Sequence, residues 1–127
     1  MDLLLDRSVL LGVRTPDRSP EIADALRRHG HRRLFLPVLV LGELLAGRPE
    51  ESHWADQLEH RFPGRVLPVD PAVSRAWGAL GAAGAADPVA GVTAATALVH
   101  GLTVLSAEPE RYASTGAPVL GTAPVRQ

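Results

Sequence analysis

Leu3-Leu4-Leu5-Asp6 is a short apolar run that stops abruptly at a carboxylate. A strand interior excludes charge, whereas a strand end presents it. In an open parallel sheet ligands collect outside the carboxyl ends of the strands, so the run predicts a buried strand with Asp6 at the mouth of a crevice. A second carboxylate, Glu43, stands in another mostly apolar stretch, Pro37-Val38-Leu39-Val40-Leu41-Gly42-Glu43-Leu44-Leu45-Ala46-Gly47. Two acids in apolar surroundings invite a metal-binding or catalytic reading. Spacing alone does not fix which way Glu43 faces, and a glutamate on a solvated helix surface satisfies the same pattern.

Working outward, Asp6 is followed by the start of a short helix, with Ser8 available to bind backbone or ligand. After a loop over Thr15–Ser19, Ser19 and Pro20 open a helix whose apolar face is Ile22, Ala25 and Leu26. It ends in a basic cluster, Arg27-Arg28-His29-Gly30-His31-Arg32-Arg33. Cations near a helix C-terminus suit the macrodipole, and a cluster of arginines also attracts phosphate; a solvated helix end and a nucleic-acid contact are the two readings. Leu34-Phe35-Leu36 predicts a second strand, with Pro37 beginning the helix that carries Glu43. Trp54, Leu58 and Phe62 recur one turn apart on a further helix, and Arg65–Val69 is extended. Asp70-Pro71 and Asp87-Pro88 each pair a capping carboxylate with a proline at the first helical position. Between them, Gly78–Ala86 is rich in glycine and alanine and fits either close helix packing or a mobile connection. Gly101 stops the second of these helices, Leu102–Leu105 forms a strand, and Pro118–Leu120 a last one. Strands alternate with helices throughout, which predicts an α/β fold: a three-layer α/β/α sandwich around a short, mainly parallel sheet.

The chain has 127 residues, 46% hydrophobic and 21% charged. That fits one ordered domain, taken as residues 1–122, with 123–127 as a frayed tail. Net charge of -1 supplies no general field for nucleic acid. The absence of cysteine excludes disulfides, thiolate metal sites and cysteine nucleophiles. All thirteen basic residues other than histidine are arginine, a pattern of composition before one of function. No apolar run is long enough to span a membrane and no signal-peptide layout opens the chain, so a cytoplasmic protein is expected.

Three segments together resemble a known family. The Leu3-Leu4-Leu5-Asp6 strand, the Leu41-Gly42-Glu43-Leu44-Leu45-Ala46-Gly47 motif and, above all, Ala94-Ala95-Thr96-Ala97-Leu98-Val99-His100-Gly101-Leu102-Thr103-Val104 look like the PIN domain, specifically the VapC toxins of bacterial toxin–antitoxin pairs. Phe62-Pro63-Gly64-Arg65-Val66-Leu67-Pro68-Val69-Asp70 is also similar to that subgroup. The resemblance implies hydrolysis of RNA phosphodiesters with Mg2+ or Mn2+, held by acids at the carboxyl ends of the strands. It also implies a VapB-like antitoxin as partner and a homodimer. Asp6 matches the family's first acid, Glu43 its second, and Ser8 the small polar residue that follows the first.

The other two acid positions of the family are replaced. The third falls seven residues before Ala97, at Ala90, and the fourth precedes the aromatic Tyr112, at Arg111. A methyl group holds no metal, and a guanidinium puts fixed positive charge where the metal's own charge belongs. Asp87, Glu108 and Glu110 are the neighbouring acids available as substitutes, although Asp87 is also explained as a helix cap and the two glutamates as solvated loop residues. Two outcomes follow: a PIN-like protein whose nuclease activity is lost or much reduced, or an active metal-dependent endoribonuclease using Asp6 and Glu43 with substitute acids. In the first, Arg111 is expected to pair with Asp6 or Glu43 and neutralise them.

Overall fold

Strands β1 (Leu3–Leu5), β2 (Leu34–Pro37), β3 (Val66–Leu67), β4 (Thr103–Ser106) and β5 (Val119–Gly121) form one sheet in the order β3-β2-β1-β4-β5. Every neighbouring pair is parallel, with Leu3 opposite Leu34 on one side and Thr103 on the other. The computed structural model describes residues 1–15 and 17–123. Residue 16 of the expected loop at 15–19 and residues 124–127 of the expected tail lie outside the described residues.

β1 and β4 are buried along their whole length because helices cover both faces of the sheet, the circumstance in which a parallel strand reads as continuously apolar. Successive side chains alternate between the faces. Leu3, Leu5 and Leu105 enter a core with Val9, Leu10, Ile22, Val40, Leu44, Trp54 and Leu58. These come from α1 (Arg7–Arg14), α2 (Pro20–Arg28), α3 (Leu39–Leu45) and α4 (Ser52–Arg61). Leu4 and Val104 enter a second core with Ala90, Ala94, Ala97 and Tyr112, on the side of α5 (Pro71–Ala79), α6 (Ala82–Ala86) and α7 (Pro88–His100). Each fully buried leucine contributes roughly 1.5–3 kcal/mol of transfer free energy, which makes Leu3-Leu4-Leu5 a central stabilising element.

Helix α7 is buried at every residue from Ala90 to Ala97, and small side chains allow it. A β-carbon on Gly91 would lie 2.8 Å from the Gly84 backbone and 2.9 Å from Trp77 Nε1. Trp77 Nε1 in turn donates to the Gly84 carbonyl at 3.2 Å. The glycine and alanine stretch ends α5 and forms α6, and of its two readings the close-packing one describes it. The hydroxyls of Thr93 and Thr96 are satisfied by carbonyls one turn back, at 2.9 and 2.8 Å.

Some boundaries differ from expectation. Pro37 ends β2 instead of beginning α3. It needs no ladder donor there, because the flanking Leu36 and Val38 N–H groups make the bonds to Arg65 and Leu67 carbonyls, both at 2.9 Å. Ser19 precedes α2 without a side-chain capping bond. The basic cluster is engaged within the protein: Arg27 and Arg28 share Asp24, Arg28 donates to the Thr122 carbonyl at 3.3 Å, and Arg32 to the Met1 carbonyl at 2.9 Å. Arg33 pairs with Asp2 at 3.0 Å. These contacts tie the α2–β2 connection to the start of β1 and the end of β5, which favours a structural reading of the cluster.

After β1 the chain builds the sheet toward β3; it then crosses back to lay β4 on the other side of β1. The strand order reverses at that point, and the carboxyl ends of β1 and β4 flank the switch-point crevice. Asp6 and Ser106 are the residues placed there.

Candidate functional site

Asp6 leaves β1 with extended backbone and caps α1, accepting the Val9 N–H at 3.3 Å. Its carboxylate is 2% exposed, and burial of that kind requires donors. Ser8 Oγ donates to Oδ1 at 2.5 Å and the Tyr112 hydroxyl donates to Oδ2 at 2.9 Å. Ser8 Oγ also accepts the Ala107 N–H at 2.9 Å and lies 3.4 Å from Ser106 Oγ. Ser106 Oγ accepts the Glu108 N–H at 2.9 Å. Burial first, and then the Asp6 charge, pushes the Tyr112 phenol well above its ordinary range, so it remains a neutral donor to the carboxylate.

Glu43 projects from α3 with its side chain 19% exposed, 3.7 Å from Arg7 Nε. It lines a cavity of about 180 Å³ with Arg7, Leu11, Leu44, Ala46 and Arg48. Burial raises its carboxyl above the usual range; Arg7 and Arg111 oppose that shift, while Asp6 and Asp87 reinforce it. These charges therefore sense one another across the crevice.

Asp87 caps α7 by accepting the Ala90 N–H at 3.2 Å, and it also receives a two-pronged guanidinium. Arg111 Nε reaches Oδ2 at 3.0 Å and Nη2 reaches Oδ1 at 3.2 Å. The Arg111 bond holds the Asp87 carboxyl below its ordinary value, and Asp87 raises the Arg111 guanidinium in return. Glu108 stands 3.8 Å from Arg111 with its side chain 48% exposed, and Glu110 is exposed. The expected pairing of Arg111 with Asp6 or Glu43 is corrected: Asp87 takes the guanidinium. The reason is local. Pro109–Tyr112 is a 3-10 turn that sends Arg111 toward the start of α7 and Tyr112 beneath Asp6, while Arg7 is the ion-pair partner of Glu43.

Ala90 is 1% exposed and packs into the core beneath the sheet. Magnesium and manganese require several oxygen ligands with free lone pairs. Among the described residues no group of three or more histidine, aspartate or glutamate side chains comes together in a way that could hold a metal ion. The residues present do not fit a divalent ion: the Asp6 oxygens carry three donors, the Asp87 oxygens carry a guanidinium, and Ala90 offers none. What the arrangement does chemically is neutralise and hold carboxylates.

The structure brings Asp6 and Ser8 together and Asp87 and Arg111 together, and leaves Glu108 at the rim. Sequence reasoning did not assign Ser106 and Tyr112 to the Asp6 network. Ser106 had a signal, since it ends a strand at the switch point; Tyr112 had none, because its partner is 106 residues away.

Residues 3–116 match the family model of the PIN domain. Among solved structures, FitAcB from Neisseria gonorrhoeae is similar at 21% identity, covering 94% of this chain and 97% of that one with a TM-score of 0.72. A structure of FitAB bound to an IR36 DNA fragment is similar at 19% identity, 98% of each chain and a TM-score of 0.80. DNA-bound VapBC from Salmonella typhimurium is similar at 17% identity, 97% of this chain and 99% of that one, with a TM-score of 0.70. At these identities the likeness shows the fold. No curated protein sequence matches the chain. With a family model spanning all five helix-crossed strands but the last, and a sheet switch point that presents Asp6, this chain belongs to the PIN domain family.

Proposed function

We propose that this protein is a VapC-like PIN-domain partner in a toxin–antitoxin pair whose metal-dependent RNA cleavage is lost or much reduced. The observation that carries the reading is the Arg111 fork on Asp87, a fixed cation at a family acid position. Ala90, at a second acid position of the family, offers no oxygen ligand. The scaffold itself is intact, so self-association, capture of a VapB-like antitoxin and gripping of RNA without cleavage are the functions left to it. Support for an antitoxin-like partner comes from the FitAB and VapBC complexes that share the fold. A cytoplasmic location goes with this reading, with residues 1–122 acting as one domain; among the described residues no helix is long and apolar enough to cross a membrane.

One observation favours an active enzyme with Mg2+ or Mn2+ bound by Asp6, Glu43 and a substitute acid. Asp87 is held by an exchangeable side chain, the Arg111 guanidinium, so it is the acid that displacement of Arg111 would release. The experiment is cleavage of a labelled single-stranded RNA with magnesium or manganese by the folded wild-type chain and by an Asp6→Asn chain prepared identically. Equal, background-level cleavage is the expected outcome. Manganese-dependent cleavage confined to the wild type overturns the proposal in favour of the rearranged acid set.

A further inference from the structure

We infer that the basic surface formed by Arg27, Arg28, Arg32 and Arg33 is a contact for the phosphate backbone of a single-stranded nucleic acid, separate from the Asp6 crevice. The inference goes beyond the proposed function and does not rest on whether the crevice cuts. Six of the seven residues from Arg27 to Arg33 are arginine or histidine, in a chain whose net charge is -1. Arg32 and Arg33 stand at the amino end of β1, where the Arg33 carbonyl accepts the Leu3 N–H at 3.0 Å, whereas Asp6 stands past its carboxyl end.

The internal contacts of this surface anchor it without cancelling its charge. Asp24 serves both Arg27 at 3.2 Å and Arg28 at 3.7 Å, and Asp2 serves Arg33 at 3.0 Å. Four guanidiniums therefore stand against two carboxylates. Arg32 is held by the Met1 carbonyl at 2.9 Å, a neutral acceptor that leaves its charge whole, and no carboxylate pairs with it among the described residues. Arg32 Nε and His29 Nδ1 are buried there without a hydrogen-bond partner. Burial, and after it the charges of Arg32, Arg28 and His31, holds the His29 imidazole below its ordinary value, in keeping with a local positive field. The Arg27 and Arg33 side chains are 72% and 74% exposed; ion pairs so exposed are weak and give way to a phosphate. The planar fork of a guanidinium matches two phosphate oxygens. Several cations spread over a helix end and the start of a strand suit a chain of phosphates, whose condensed counterions they release.

The test is fluorescence anisotropy of a labelled mixed-sequence single-stranded RNA, and of DNA of the same sequence, titrated with the full chain in EDTA at several salt concentrations. Wild type, Arg27→Glu and an Arg27→Gln, Arg32→Gln double variant are compared with Arg75→Glu, which reverses an exposed charge on α5; melting curves establish that each is folded. Wild type is expected to bind RNA and DNA within about threefold of each other, because phosphate contacts carry no sequence information. Arg27→Glu is expected to weaken binding roughly fivefold to tenfold at low salt, and Arg75→Glu to bind as wild type does. The double variant is expected to flatten the slope of log K against log salt by about 1.4, two contacts at about 0.7 each for a single strand. If the double variant does not fold, Arg27→Glu decides alone. Wild-type affinity in Arg27→Glu overturns the inference, as does equal weakening by Arg75→Glu, which means that only net charge is read. Displacement of RNA by poly-glutamate of matched length as readily as by the DNA also overturns it, in favour of an acidic protein partner. The two readings fail separately: manganese-dependent RNA cleavage by wild type defeats the proposed function and leaves this surface standing, whereas equal RNA binding by wild type and Arg27→Glu defeats only the surface.

Discussion

Asp6 is a buried carboxylate held by donors from Ser8, Val9 and Tyr112. Tyr112→Phe removes one donor and leaves the rest in place, so it is expected to cost roughly 1–3 kcal/mol in urea unfolding at neutral pH, the range for an orphaned hydrogen bond to a charged buried group. Arg111→Ala is expected to cost less, about 1 kcal/mol, because Asp87 is 41% exposed and solvent screens the pair. Arg27→Ala, at a side chain 72% exposed, should change stability by less than about 0.5 kcal/mol. Asp87 and Glu43 pull in opposite directions with pH. Asp87 is held below its ordinary value of 3.8 by Arg111, so its contribution is present above that value and is lost as pH falls through the lower folded one. Glu43 is raised above its ordinary 4.5 by burial, so its contribution is present below that value and is lost as pH rises through the higher folded one. Glu43→Gln is therefore expected to gain Tm relative to wild type between about pH 4 and 7, and Asp87→Asn to lose it; melting profiles across that window check both. Asp6, Glu43 and Ala90 were placed from local sequence pattern or family motif, whereas the choice of Asp87 by Arg111 depended on how one 3-10 turn aims two adjacent side chains, which spacing does not encode.

Among the elements, α7 shows how packing and chemistry share residues. Its small side chains let it lie between sheet and α5, and its first turn carries the Asp87 cap and Ala90. Gly91→Ala is expected to destabilise by about 1–3 kcal/mol through overpacking, because the added methyl meets the Gly84 backbone at 2.8 Å. Gly42→Ala in α3 meets nothing within 4 Å and is expected to stabilise by up to about 1 kcal/mol through helix propensity. Denaturant midpoints of the two variants, measured side by side, give opposite signs if packing at α7 is as close as described. Capping signals made α5 and α7 legible in advance: Asp70 accepts Val73 N–H at 2.9 Å, Asp87 accepts Ala90 N–H at 3.2 Å, and Gly101 adopts φ 66° as a left-handed stop. Pro37 was misread as a helix start because a proline at the last position of a strand costs no hydrogen bond, a circumstance set by where the neighbouring strand ends.

At the scale of the molecule, alternation of strands and helices was enough to expect a covered parallel sheet, and the family motifs fixed its type. Strand order was not legible, since it depends on which strand pairs with β1 on each side. That order is what gives Asp6 and Ser106 their place at the switch point. The scaffold thus holds a crevice at the switch point, and under the proposed function the Ala90 methyl and the Arg111 guanidinium stand where acids would complete a metal site. The decisive measurement is manganese-dependent cleavage of labelled single-stranded RNA by the wild-type chain beside an Ala90→Asp, Arg111→Asp double variant. A silent wild type and a double variant that cuts, with cutting abolished by chelator, is the expected result. Cleavage by wild type that chelator abolishes and Asp6→Asn removes means the crevice still works as a nuclease, and the reading of a silenced site falls.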